Sequence, residues 1–275
     1  MTRSQLEFGP DKFPIIAGPC VIESAGHVLK MAKLLAEARE RLGIQLIFKA
    51  SFDKANRSSI SSYRGVAIDE AIAIFKQIKG EYGLPLATDF HQPQQAEPLS
   101  EVVDVLQIPA FLCRQTDMLD AAAKTAAMVT VKKGQFLSPW EVKNIIGKLV
   151  ESGCKHYALI ERGTSFGYHN LVSDMRSIPI MQEQGTEVIF DATHSAQLPG
   201  GGGDHAAGMR EYIPVVARAA VAAGCDGIFM EVHDQPERAL SDSTTQWPFN
   251  RFEELVLELL AYRNTFIKVQ KIGKT

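Results

Sequence analysis

Apolar positions along this chain follow two alternating patterns. Short, nearly continuous runs occur at Ile15-Ile16-Ala17-Gly18, Leu46-Ile47-Phe48, Leu84 to Thr88, Val102 to Ile108, Val129-Thr130-Val131, Tyr157 to Ile160, Val188-Ile189-Phe190 and Ile228-Phe229-Met230. A strand covered on both faces reads this way, because neither face needs polar residues. Between the runs, apolar residues return every three or four places, as in Val28 to Leu35, Ala67 to Ile78, Asn144 to Val150 and Phe252 to Tyr262. That spacing predicts helices with one buried stripe. Ser138-Pro139 followed by Glu141 predicts an N-cap with proline at the first helical position, and Gly43, Gly83 and Gly153 suit C-terminal stops.

Eight β/α alternations in 275 residues predict an α/β fold, a single (β/α)8 TIM barrel over residues 1–275. A doubly wound sheet would need a glycine-rich dinucleotide fingerprint after an early strand. Here the first run ends in Gly18-Pro19-Cys20 instead. The stretch Leu198-Pro199-Gly200-Gly201-Gly202-Gly203-Asp204 is too glycine-rich to predict either strand or helix.

Charge and composition narrow the function. The chain has 29 Lys+Arg against 32 Asp+Glu, a formal charge of −3, which argues against a nucleic-acid partner. No apolar run approaches the roughly 20 residues of a membrane span, and the first residues lack the apolar stretch of a signal peptide. Cys20, Cys113, Cys154 and Cys225 are widely spaced and read as reduced thiols, the last three as ordinary buried ones. The expectation is a soluble cytoplasmic protein.

In a barrel, chemistry sits at the C-terminal ends of the strands. The residues there are Cys20, Lys49, Asp89, Gln107, Lys132, Glu161 with Arg162, Asp191 with His194, and Glu231 with His233. Lys49, Lys132 and Arg162, with Lys54 and Arg57 just beyond the second run, form a set of cations suited to phosphate or carboxylate. The bland alternative is a solvated charged rim. The loop from Lys49 to Ser59 concentrates Lys, Arg, Asn and Ser donors, as a phosphate site would. Cys20, His194, Glu231 and Asp242 offer a thiolate, an imidazole and two carboxylates, a donor set for a divalent metal such as Zn, Fe or Mn. Their spacing alone is a weak signal, since a lone buried cysteine or histidine is usually structural.

Longer motifs add to this. Ile16-Ala17-Gly18-Pro19-Cys20-Val21-Ile22-Glu23-Ser24, Phe48 to Ser59, Gln107 to Asp117, Val131 to Phe136, Glu161-Arg162-Gly163-Thr164, Asp191-Ala192-Thr193-His194-Ser195, Gln197 to Gly200 and Phe229-Met230-Glu231 span nearly the whole chain. Through them the sequence resembles the 3-deoxy-D-manno-octulosonate 8-phosphate synthases. The resemblance implies a barrel enzyme that condenses phosphoenolpyruvate with D-arabinose 5-phosphate, releases inorganic phosphate, and serves lipopolysaccharide synthesis. Cys20 with His194, Glu231 and Asp242 is similar to the metal-dependent members.

The resemblance further implies that Lys49, Lys54, Lys132 and Arg162 hold phosphoenolpyruvate, and that Asn56, Arg57 and Ser58 hold the pentose phosphate. Gln107 belongs to the same substrate-binding set. Arg114 is expected to reach a neighbouring subunit's phosphate site, which implies a homo-oligomer, a tetramer. The segment from Pro199 to Gly203, near His205, is similar to a lid. Lys132 is placed to stabilise phosphate charge or act as an acid, His194 to be ligand, proton carrier or both, and Asp89 to orient water or pair with a lysine. Two rivals stand beside this reading. One is a 3-deoxy-heptulosonate 7-phosphate synthase using erythrose 4-phosphate, from which Asn56 is the discriminating residue. The other is a non-catalytic phosphosugar-binding protein.

Overall fold

The computed structural model describes residue 6 and residues 12–57, 59–202 and 205–272. The eight apolar runs form eight strands: β1 (Ile15–Gly18), β2 (Leu46–Lys49), β3 (Leu86–Asp89), β4 (Val105–Ile108), β5 (Met128–Lys132), β6 (Tyr157–Glu161), β7 (Glu187–Asp191) and β8 (Gly227–His233). Each pairs in parallel with the next, and β1 pairs with β8, Ile16 facing Phe229 across the seam. The sheet is therefore a closed barrel.

Helices follow the strands on the outside: α1 (Ala25–Leu42), α2 (Ile68–Tyr82), α3 (Ala96–Ser100), α4 (Thr116–Ala123), α5 (Val142–Glu151), α6 (Ser177–Gln182), α7 (Ile213–Ala222) and α8 (Phe252–Ile272). Among the described residues no helix is long and apolar enough to cross a membrane.

Two apolar layers result from the alternation of side chains along each strand. Ile16, Ile47, Ala87, Val105, Met128, Ala158, Ile160, Ile189 and Phe229 fill the barrel interior. The second layer lies between barrel and helices and contains Ile15, Phe48, Leu86, Leu106, Val129, Phe190 and the buried stripes of the helices. The charged residues on the inward face thereby gather at the C-terminal strand ends, with Thr130 a buried polar residue within β5.

Local signals behave as their chemistry requires. Ser24 caps α1 by accepting the His27 N–H at 3.2 Å, and Gly43 ends it at φ +61°, where a Cβ is disfavoured. Ser138-Pro139 opens a short 3₁₀ turn (Pro139–Glu141) ahead of α5, and the Glu141 carboxylate accepts the Ser138 N–H at 3.2 Å.

Three expectations need correction. The third and fourth strands begin later than Leu84 and Val102. The N–H groups of Val102 and Val103 are committed to the Leu99 carbonyl at the end of α3, so these buried residues cannot yet join the ladder. The glycine-rich stretch is not irregular: Gln197–Gly202 and His205–Gly208 pair as an antiparallel hairpin, with a register shift between Leu198 and Gly202. Gly203 and Asp204 lie outside the described residues. Cys154 is half-buried rather than buried, although all four cysteines are free thiols.

Candidate active site

The first layer of the mouth rests on Phe229, the uppermost apolar residue of the barrel interior on β8. Lys132 from β5 lies 3.9 Å above its ring centroid and Lys49 from β2 lies 5.7 Å away. Both lysines are buried, and each meets a carboxylate. Lys132 Nζ donates to Asp191 Oδ2 at 2.6 Å. Lys49 Nζ lies 3.7 Å from Asp89 and 4.0 Å from Glu231, and donates to Ser51 Oγ at 2.6 Å. Lys54 Nζ lies 3.5 Å from the same Glu231 oxygen, Oε1.

These charges set one another's protonation. Burial would raise the Glu231 carboxyl, but His194 and the three lysines outweigh it and hold its pKa at about 2. Asp89 is likewise held well below the carboxylate range, burial being overcome by Lys49 and His91. Asp191 is depressed by His194 and Lys132 against the same penalty. Burial lowers Lys132, with Asp191 opposing it, and lowers Arg162 in the same way. Lys54 moves up, because Cys20, Glu231, Asp89 and Asp242 together exceed its burial cost.

Cys20, Glu231 and Asp242 bring a donor atom each to within 4.8 Å of one another. Cys20 Sγ lies 3.5 Å from Asp242 Oδ2 and 3.1 Å from Ser241 Oγ. His194 falls outside that tight group, but its Nε2 is 3.5 Å from Glu231 and 3.7 Å from Asp242. Its other nitrogen, Nδ1, lies closest to Asp191 Oδ2, at 2.8 Å, with Lys132 Nζ further off at 3.3 Å. A carboxylate at Nδ1 favours the tautomer that leaves the Nε2 lone pair facing the two acids, the usual arrangement of a metal-binding histidine.

Neither oxygen of Glu231 has a hydrogen-bond partner although both are buried. Burial, and then Asp242 and Glu231, push the Cys20 thiol well above its ordinary range. Two unsatisfied carboxylate oxygens beside a buried thiol, an imidazole and a second acid are the environment a divalent cation would relieve. The residues fit such an ion.

Several residues that sequence reading did not place in the site hold this arrangement. Gln197, at the start of the hairpin, accepts from Arg162 at 2.6 Å and donates to Asp242 Oδ2 at 3.2 Å. Gln246 accepts the Cys20 N–H at 3.1 Å and donates to the Ser241 carbonyl at 2.8 Å. His91 stands 3.5 Å from Asp89. Asp191 appears at its strand end in the sequence, and its spacing of three from His194 was the available signal. Gln197 stands in one of the motifs behind the resemblance, but the contacts that both glutamines make join segments remote in the chain, which the sequence does not show.

The remaining expected residues are distributed as follows. Gln107 is buried at the end of β4, opposite Asp89 in the ladder. Arg57 donates to Ser241 Oγ at 2.6 Å and to the Leu240 carbonyl at 3.2 Å, so it bridges its loop to the one carrying Asp242. Asn56 is exposed in the same loop, and Ser58 lies outside the described residues. Arg114 is exposed and lines an outer groove with Glu141, Lys143 and Lys148, apart from the contacts that join the mouth residues.

Comparison with known proteins bears on this site. Residues 2–265 match the model of the DAHP synthetase I family. A protein named 2-dehydro-3-deoxyphosphooctonate aldolase from Synechococcus sp. is 52% identical over 249 residues, covering 90% of this chain and 88% of the relative. Proteins of the same name from Brucella anthropi (51% identical; 91% of this chain and 90% of the relative) and Geobacter metallireducens (52% identical; 90% and 91%) align over similar lengths.

Proposed function

This chain belongs to the DAHP synthetase I family, and from that premise we propose that its barrel mouth condenses phosphoenolpyruvate with D-arabinose 5-phosphate and water. The products are inorganic phosphate and 3-deoxy-D-manno-octulosonate 8-phosphate, the phosphorylated 2-dehydro-3-deoxy sugar acid named in its relatives. The observation that carries this reading is whole-chain likeness: about half the positions are identical over nine-tenths of the chain. The family alone does not choose between pentose and tetrose phosphates. The relatives' shared name favours the octonate over the heptulosonate reading, and an enzyme over a passive binder.

Carbon 3 of the enol phosphate attacks the aldehyde, positive charge develops at carbon 2, water adds there, and phosphate leaves from the resulting hemiketal phosphate. Lys49, Lys54, Lys132 and Arg162 are buried or nearly so, and a phosphate and a carboxylate among them would gain charge-assisted hydrogen bonds in a dry site. Lys132, held against Asp191, is placed to stabilise the departing phosphate or protonate it. Asp89, ionised beside Lys49, is placed to orient water.

Arg57, with Asn56 and Ser58, would hold the pentose phosphate. Cys20, His194, Glu231 and Asp242 would hold a divalent ion of the Zn, Fe or Mn class. When bound, such an ion supplies Lewis-acid chemistry, orienting the aldehyde or activating water. The residues around it exclude solvent and fix the protons: Asp191 holds His194 Nδ1, and Gln197 ties Asp242 to Arg162.

We place the enzyme in the cytoplasm and in a homo-oligomer, with Arg114 serving a neighbour's phosphate site. Exposed Phe111, Phe136, Trp140, Phe166 and Tyr168 on the loops after β4, β5 and β6 support a covered face there. The activity is tested by following phosphate released from phosphoenolpyruvate with arabinose 5-phosphate or erythrose 4-phosphate. The pentose phosphate should react faster by roughly a hundredfold or more, since a site built to pair extra hydroxyls rejects the shorter sugar. Equal rates, or a faster reaction with the tetrose, would overturn the reading.

A further inference from the structure

Asp242 adopts φ +50°, in the left-handed region that residues other than glycine rarely occupy. Such a backbone persists only where its surroundings over-determine it. The N–H groups of Thr245 and Gln246 close on the Asp242 carbonyl at 2.9 and 3.0 Å. On the other side, two residues before Asp242, both backbone polar groups of Leu240 are held by side chains from distant elements. Its carbonyl accepts from Arg57 at 3.2 Å, and its N–H donates to Glu23 Oε1 at 2.9 Å.

Glu23 lies in the turn after β1, three residues past Cys20. Its Oε1 also stands 3.3 Å from His233 Nε2. The Gln235 N–H donates to His233 Nδ1 at 2.9 Å, with Asp234 Oδ1 3.1 Å from the same nitrogen, and the neutral imidazole that accepts from Gln235 carries its proton on Nε2, facing Glu23. Glu23, His27 and His233 come within 4.8 Å of one another. With its Nδ1 lone pair committed to Gln235, however, His233 has none free on Nε2 for a second cation. The group is a brace.

We propose that Glu23 is a positioning residue for the condensation: as an acceptor for the Leu240 N–H, it holds the turn that presents Asp242 to Cys20 and His194. The inference rests on the metal reading above. In that reading Arg57 also serves the pentose phosphate. A phosphate drawing on Arg57 would leave Glu23 as the remaining side-chain hold on Leu240 among the described contacts.

Two variants of the full chain separate acceptor from charge. Glu23→Gln keeps an oxygen within reach of Leu240 and loses the charge, whereas Glu23→Asp keeps the charge and withdraws the oxygen by one methylene. The metal-stripped proteins are titrated with Co(II), following the thiolate-to-cobalt absorption, and kcat and KM are then measured. Glu23→Asp should bind Co(II) about tenfold more weakly, the loss expected when support behind a metal ligand is removed. Its kcat should fall with little change in KM for phosphoenolpyruvate, while Glu23→Gln stays near the unmodified chain in both. The reverse order, with Gln impaired and Asp intact, would overturn the proposal, as would Co(II) binding and kcat unchanged in both variants. An unmodified chain that shows no cobalt absorption would remove the metal reading, and this proposal with it.

Discussion

Asp191 Oδ2 stands between two groups with different tasks, 2.6 Å from Lys132 Nζ and 2.8 Å from His194 Nδ1. Burial depresses the Lys132 pKa and Asp191 opposes that depression. Asp191→Asn would keep an acceptor and remove the charge, so the Lys132 pKa should fall further. A lysine that must be cationic to hold phosphate loses function as pH rises through its pKa. The alkaline limb of the kcat/KM profile should therefore move to lower pH in Asp191→Asn, a shift that initial rates across the alkaline range would detect. A limb that stays in place would mean that Lys132 does not set it. Lys132 and His194 are visible in the sequence as strand-end residues. The link between them is not, because it depends on a third side chain, Asp191, sharing one oxygen between them.

The elements differ in how plainly the sequence announces them. The eight barrel strands are legible because burial on both faces forces continuous apolar runs, and the long helices because one face is buried. The hairpin at Gln197–Gly202 and His205–Gly208 is hidden: one member of each of its pairs, Gly208, Ala207 and Gly202, is a glycine or alanine with little strand preference of its own. The loop at 240–246 is hidden for a related reason, since it is held by Glu23 and Arg57 from elsewhere in the chain. Gly18 shows how tightly the first two strands are fitted. A Cβ there would lie 2.0 Å from the Lys49 carbonyl oxygen, with Ala17 already in register with Phe48. Gly18→Ala should push β1 off β2 and lower stability by roughly 1–3 kcal/mol, the usual cost of overpacking. Urea unfolding followed by two probes would measure it, and an unchanged midpoint would contradict this fit.

At the scale of the whole molecule, the barrel converts sequence separation into proximity. Cys20 and Asp242 belong to loops at opposite ends of the chain, and closure of β1 on β8 brings Sγ and Oδ2 to 3.5 Å. The same closure sets Lys49 and Lys54 against Glu231. Cations that would repel in a dry interior are balanced by acids, and the acids in turn leave oxygens unsatisfied that a divalent ion would satisfy. The central claim is that a metal ion and two phosphorylated substrates share this one rim. Its most direct test is phosphate release from phosphoenolpyruvate and arabinose 5-phosphate after chelation, then after adding back single divalent ions, with the bound metal quantified. Activity should vanish on chelation and return in proportion to about one equivalent of metal per chain. Full activity in protein shown to be free of metal would contradict it.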